Sequence, residues 1–157
     1  MSQIEEQPAE SPAAPGHLWA VGVVSLLWNG FGAYDYIMSQ TRNQDYMAAM
    51  TEPFGFSAAE AVAYFDSFPL WADAARAVGV WGSVLGSVLL LARRRHAGTA
   101  FIVSLGGLVV AMIYQFGNPL PGATDSTISL VFTILITLIM LGLIWYSKRM
   151  AARGVLR

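Results

Sequence analysis

Four long stretches of the chain are built from apolar residues, and polar links separate them. A helix needs about 20 mostly apolar residues to cross the hydrocarbon core of a bilayer. The stretches at about 18–38, 70–92, 97–116 and 127–146 have that length, and the last carries no charged residue. They do not alternate apolar and polar positions, as membrane strands do. The pattern therefore predicts an all-α integral membrane protein, a four-helix bundle.

Composition agrees with this class of protein. Hydrophobic residues make up 55% of the 157 positions and charged residues 12%, whereas a typical soluble domain has about 25% charged residues. The net charge of −1 gives no reason to bind nucleic acid. There is no cysteine, and His17 and His96 lie far apart. The sequence thus has no spacing of metal ligands, and we expect neither a metal nor a cofactor.

Basic residues predict how the chain is threaded. Residues 93–95 are three arginines in the link between the second and third stretches, and four more Lys or Arg residues follow the fourth stretch. The opposite side has only Arg42. By the positive-inside rule, both termini face the cytoplasm. The predicted plan is a disordered acidic tail at 1–16, a single transmembrane domain at 17–147 and a basic cytoplasmic tail at 148–157.

The link at about 39–69 is the longest segment predicted outside the membrane. Ser57 and Glu60 have the spacing of a capping box, which predicts the start of a short helix, and Pro53 and Pro69 flank it. An amphipathic helix on the bilayer surface and an ordinary ordered loop both fit this segment.

Small residues in the second stretch predict close helix packing. Gly82 and Gly86 form a GxxxG motif, which lets two helices approach each other closely. The motif fits packing within one chain and also fits a homo-oligomer interface.

Polar residues gather at one depth in the outer half of the predicted bundle. Asn29 lies near the middle of the bilayer, and Asp35, Asp73 and Arg76 lie further out. A charge at the bilayer centre costs roughly 2.5–3.5 kcal/mol, so such residues are usually paired or functional. The predicted cluster, a clasp or a cavity, consists of Trp28, Asn29, Asp35, Tyr36, Arg42, Asp73, Arg76, Trp81, Gln115 and Asn118.

Two interpretations of this cluster remain open. In a structural clasp, Arg76 pairs with Asp73 or with Asp35, and Asn29 bonds a neighbouring helix. In a cavity open to the periplasm, the same groups would bind a small polar solute.

Several segments resemble a known family. They are WNGFGAYDYIMSQTRNQDYM, FPLWADAARAVGVWGSVLGSVLLL, YQFG and the ending WYSKRMAARGVLR. Together they are similar to a family of uncharacterised small four-span inner-membrane proteins of Gram-negative bacteria, some labelled "sugar transporter". The resemblance covers about 18–157 and departs from the family pattern at Ser39, where Thr is expected. It implies a multi-pass protein of the bacterial inner membrane, with a motif at Trp28, Asn29, Asp35, Tyr36, Gln40, Arg42, Asn43 and Tyr46.

Three classes of function follow from these observations. The leading prediction is a structural or accessory membrane protein with a polar clasp. The alternative is a transporter-like module for a small polar solute such as a sugar. The sequence contains no H-E-x-x-H, G-x-S-x-G or paired-histidine motif, so we do not expect an enzyme. The predicted partner is the lipid bilayer, with a second copy of the chain and a small polar solute under the alternatives.

Overall fold

The computed structural model of the protein describes residues 13–119 and 126–157, and these are helical almost throughout. The acidic tail predicted at 1–16 lies largely outside the described residues. Within them there is no strand. The helices are α1 (Gly16–Gln40), α2 (Gln44–Thr51), α3 (Ala58–Asp66), α4 (Leu70–Leu91), α5 (Ala97–Gly117) and α6 (Ser126–Ala152), with a 3₁₀ turn at Glu52–Phe54.

Three of the described helices are long and apolar enough to cross a membrane. They are α4, α5 and the Leu130–Ala152 part of α6. The chain is therefore a helical, multi-pass membrane-type protein, as its composition predicts. Helix α1 has 25 residues but is not among the three, because Asn29, Asp35 and several aromatic residues lower its hydropathy.

The helix boundaries agree with the predicted stretches, except at two places. Helix α6 continues to Ala152, so the domain boundary predicted at residue 147 falls inside a helix. The link at 39–69 holds two helices rather than one. The unpredicted helix α2 begins after Asn43, whose side chain accepts the backbone N–H of Tyr46 at 2.9 Å. The predicted capping box of Ser57 and Glu60 is confirmed at the start of α3.

Helices α4 and α5 make the closest helix contact, and small residues line it. A Cβ on Gly82 would lie 3.0 Å from the Cβ of Ser104, and one on Gly86 would lie 2.7 Å from the ring of Phe101. A Cβ on Gly107 would lie 2.6 Å from the backbone oxygen of Ala75. The GxxxG motif therefore packs within the chain, which is the first of its two predicted uses.

The four long helices converge at one end, which we call the closed end. Its core consists of the buried residues Leu18, Leu90, Ala97, Met150, Val155 and Leu156. The start of α1, the end of α4, the start of α5 and the end of α6 meet there, so the long helices alternate in direction. His17 Nδ1 and the hydroxyl of Tyr146 form a hydrogen bond between α1 and α6 at this end.

The C-terminal residues fold back onto the closed end. The N–H of Arg95 donates to the carbonyl of Arg157, and the N–H of Arg157 donates to the carbonyl of Arg93, each at 2.7 Å. Arg93 has a positive φ of 57°, in the left-handed region that non-glycine residues adopt mainly at turns. The basic tail is thus part of the folded domain.

Candidate functional site

Away from the closed end, the helices enclose a groove instead of a packed core. The groove has a volume of about 510 Å³ and lies between α1, α4, α5 and α6, with Phe65 of α3 at its edge. Ligand sites are typically clefts of about 300–1,000 Å³ with mostly apolar walls and a few polar groups. The polar residues in the lining are Asn29, Asp35, Tyr36, Arg76, Ser83, Ser104, Gln115 and Thr133.

Asn29 is buried at the deepest part of the groove, with 6% of its surface exposed. Its Nδ2 donates to the hydroxyl of Ser87 at 2.9 Å and to the backbone carbonyl of Ser83 at 3.3 Å. The hydroxyl of Ser87 donates in turn to the carbonyl of Ser83 at 3.0 Å. The prediction that Asn29 bonds a neighbouring helix is therefore confirmed, and the bond joins α1 to α4.

Arg76 lies at the side of the groove, close to a carboxylate and three aromatic rings. Its Nη1 is 3.5 Å from Oδ1 of Asp73, and the same oxygen accepts a hydrogen bond from Nε2 of Gln40 at 2.6 Å. Its guanidinium carbon is 4.6 Å from the ring centroid of Phe65, 5.3 Å from Tyr36 and 5.5 Å from Phe68. Arg76 therefore pairs with Asp73, one of its two predicted partners. The three rings shield the guanidinium from its surroundings.

Asp35 is held by a hydroxyl rather than by a cation. Its Oδ1 accepts the hydroxyl of Tyr46 at 2.8 Å, which ties the end of α1 to α2. Burial and the hydrogen bond to Asp35 raise the pKa of Tyr46, so this hydroxyl keeps its proton and donates it. Among the described residues, no Lys or Arg nitrogen lies within 4.0 Å of the Asp35 carboxylate. The direct Asp35–Arg76 ion pair, the other of the two predicted pairings, is therefore absent among the described residues.

Six of the ten predicted cluster residues line the groove, and four do not. The six are Trp28, Asn29, Asp35, Tyr36, Arg76 and Gln115. Arg42 forms an ion pair with Asp66 at 2.8 Å, outside the groove. Asp73 contacts Arg76 but does not line the groove. Trp81 is 47% exposed and faces away from the groove. Asn118 donates to the carbonyl of Tyr114 and borders a separate surface cavity.

Several residues that complete the site were not predicted as part of it. Tyr46 holds Asp35, Gln40 holds Asp73, and Phe65 and Phe68 contact Arg76. The N-cap signal at Asn43 could have revealed α2, and hence the return of Tyr46 towards α1. In the described ranges, no group of three or more acidic or histidine side chains could hold a metal ion.

Comparison of the chain with protein-family models, with curated proteins and with solved structures gave no match. The groove is therefore interpreted from its own residues.

Proposed function

We propose that the chain crosses the bilayer four times, through α1, α4, α5 and α6. A helix of 25 residues is about 37 Å long, which exceeds the hydrocarbon thickness of about 30 Å. The outward face of α1 is apolar, with Val23, Val24 and Leu27 between 48% and 71% exposed. Contiguous exposed apolar surface of this kind is expected only where lipid or another protein covers it.

The closed end faces the cytoplasm in this proposal. It carries the arginines of the α4–α5 turn and the basic residues of the C-terminal segment, which the positive-inside rule assigns to the cytoplasmic side. The groove then opens towards the periplasm, and the membrane is the bacterial inner membrane that the family resemblance implies.

The function that the groove supports best is binding of a small solute, as a transporter-like module. The observation that carries this proposal is the single groove of about 510 Å³ in which Asp35, Arg76 and Gln115 face the same space as Trp28 and Tyr36. A few convergent polar groups on mostly apolar walls are typical of ligand sites. Polar residues at this depth are costly unless they pair or serve a function.

A structural or accessory role is the second candidate, and one observation favours it. The polar side chains largely satisfy each other: Asn29 bonds Ser87, Tyr46 bonds Asp35, and Gln40 and Arg76 contact Asp73. Such a network would hold α1, α2 and α4 together without any ligand.

Thermal unfolding of the detergent-purified protein against sugars and other small polar solutes separates the two candidates. A ligand of the native state raises the melting temperature with its occupancy. Gln115→Leu is the informative variant, because the described residues give the Gln115 side chain no hydrogen-bond partner while it lines the groove. Binding predicts a solute-specific rise that Gln115→Leu weakens without changing the unliganded melting temperature.

The opposite result would support the structural role. If no solute shifts the melting temperature, while Asp35→Asn and Arg76→Gln each lower it strongly, the polar residues act as a clasp. The exposed carboxylate of Asp45 on α2 provides the control variant, Asp45→Asn, which should behave as the wild type in both cases.

A further inference from the structure

Two carboxylates and one guanidinium lie at the groove, and among the described residues one of these carboxylates, Asp35, has no direct ion pair. Helix α4 contributes Arg76 and the nearby Asp73, which lie 3.5 Å apart and compensate each other. Helix α1 contributes Asp35, whose partner is the neutral hydroxyl of Tyr46. From α3, Asp66 is paired with Arg42. Asp35 and Arg76 are the charged residues of the described lining, and with Asp73 beside Arg76 the three groups carry a net charge of about −1.

Aromatic rings surround the space beside this carboxylate. The lining includes Trp28, Phe31, Tyr36, Phe65 and Phe132. The faces of such rings carry negative potential and attract cations within about 6 Å. Two of these rings already act in this way, because the guanidinium of Arg76 lies over Tyr36 and Phe65 at 5.3 and 4.6 Å.

The wall that α5 and α6 form is mostly apolar. Helix α6 contributes Ile136 and Met140 to it, and α5 contributes Leu108 and Met112. Its polar side chains are Ser104, Gln115 and Thr133. A ligand that fits both walls therefore needs a polar end and an apolar body. A fully polar solute would leave the α5–α6 wall without a matching surface.

We infer that the groove binds a small organic cation, an alkyl- or aryl-ammonium compound whose charged group lies beside Asp35 and whose apolar body lies against α6. This inference rests on the proposed solute-binding function and names its ligand class. The bound cation gives Asp35 the direct ion pair that the described residues do not, and the ring of Trp28 contacts it. A neutral sugar of the same size supplies neither interaction.

The test compares ligands that differ in charge but hardly in shape. Choline and its carbon isostere 3,3-dimethyl-1-butanol form such a pair, and benzyltrimethylammonium adds an aryl body. Binding of each is measured by titration calorimetry on the purified protein at low ionic strength, with a sugar panel beside them. We expect choline to bind about tenfold more tightly than its isostere, and benzyltrimethylammonium to bind more tightly than choline.

Substitutions in and outside the groove test whether the cation binds there. Asp35→Asn should weaken cation binding about tenfold, while Asp45→Asn, at an exposed carboxylate outside the groove, should leave it unchanged. Gln115→Lys places a positive charge in the lining without removing a bond and should abolish cation binding, whereas Gln115→Leu, which removes only an uncharged polar group, should weaken it far less. This second pair keeps the test valid if Asp35→Asn does not fold.

The possible results separate a failure of this inference from a failure of the proposed solute-binding function. If sugars bind and cations do not, the groove is a solute site and the cation assignment is wrong. If no ligand binds, the solute-binding proposal is also wrong. If cations bind equally well to the Gln115→Lys protein, they bind elsewhere, and the inference is overturned.

Discussion

The two ends of the helical domain are held together by different interactions. At the closed end, Leu18, Leu90 and Met150 are almost completely buried, and the C-terminal backbone pairs with the α4–α5 turn. At the groove end, polar contacts join α1 to α4, as between Asn29 and Ser87, and a volume of about 510 Å³ is left open. Close packing specifies one arrangement of the helices, whereas an open polar lining can accommodate a ligand.

This contrast predicts where substitutions act. Apolar truncations at the closed end should lower stability and leave ligand binding by the folded protein unchanged. Polar substitutions in the groove should change binding with a smaller effect on stability. The predictions below test this division, beginning with the largest expected effect.

Leu156→Ala should produce the largest loss of stability. Leu156 is 4% exposed in the core of the closed end, and truncation of such a side chain typically costs about 2–5 kcal/mol. Arg157→Ala is the matched control, because the side chain of Arg157 is exposed and its backbone keeps the bonds to Arg93 and Arg95. The measurement is the free energy of unfolding in mixed micelles. Equal stability of the two variants would show that the C-terminal segment does not contribute to the fold.

Gly107→Ala should lower stability by about 1–3 kcal/mol, because the added methyl group overlaps the backbone of α4. Gly106→Ala is the control from the neighbouring position, where a Cβ meets nothing within 4 Å. That variant should be neutral or slightly more stable, since alanine favours a helix more than glycine does. If both variants unfold alike, α4 and α5 do not pack through this face.

Asn29→Ala should cost about 0.6–1.7 kcal/mol, because it removes the two hydrogen bonds from its Nδ2 to α4. Ser25→Ala is the control. Ser25 is also buried on α1, but its hydroxyl bonds Gly22 of the same helix at 2.9 Å. An effect of Asn29→Ala as large as that of Leu156→Ala would contradict the division between the two ends.

The sequence predicts the long helices well, because a run of about 20 apolar residues has few alternatives to a helix in lipid. It also predicts the interhelical bond of Asn29, and it gives the Arg76–Asp73 pair as one of two alternatives, because polar groups in such a run need partners nearby. The capping box at Ser57 follows from spacing alone.

Contacts that depend on the direction of a helix face or on a turn do not follow from the apolar pattern. Trp81 shares its depth with Asn29 but faces outward, because Gly79, Gly82 and Gly86 turn the opposite face of α4 towards α5. The chain reverses after Thr41 and brings Tyr46 onto Asp35, and no periodicity encodes that turn. The backbone hydrogen bonds of Arg157 with Arg93 and Arg95 likewise join residues that lie far apart in the sequence.

The smallest predicted effect concerns the start of α3, outside both ends. Hydrogen bonds from the backbone N–H and the hydroxyl of Ser57 lower the pKa of Glu60 below its ordinary value of 4.5. Because the folded pKa is lowered, the capping box contributes its full stability above pH 4.5 and loses it as the pH falls through the folded pKa. Carboxyl NMR titration should show Glu60 titrating below its ordinary range in the wild type and closer to that range in Ser57→Ala, which removes the hydroxyl donor and keeps the backbone N–H. Identical titrations in the two proteins would mean that the hydroxyl of Ser57 does not bond Glu60 in solution.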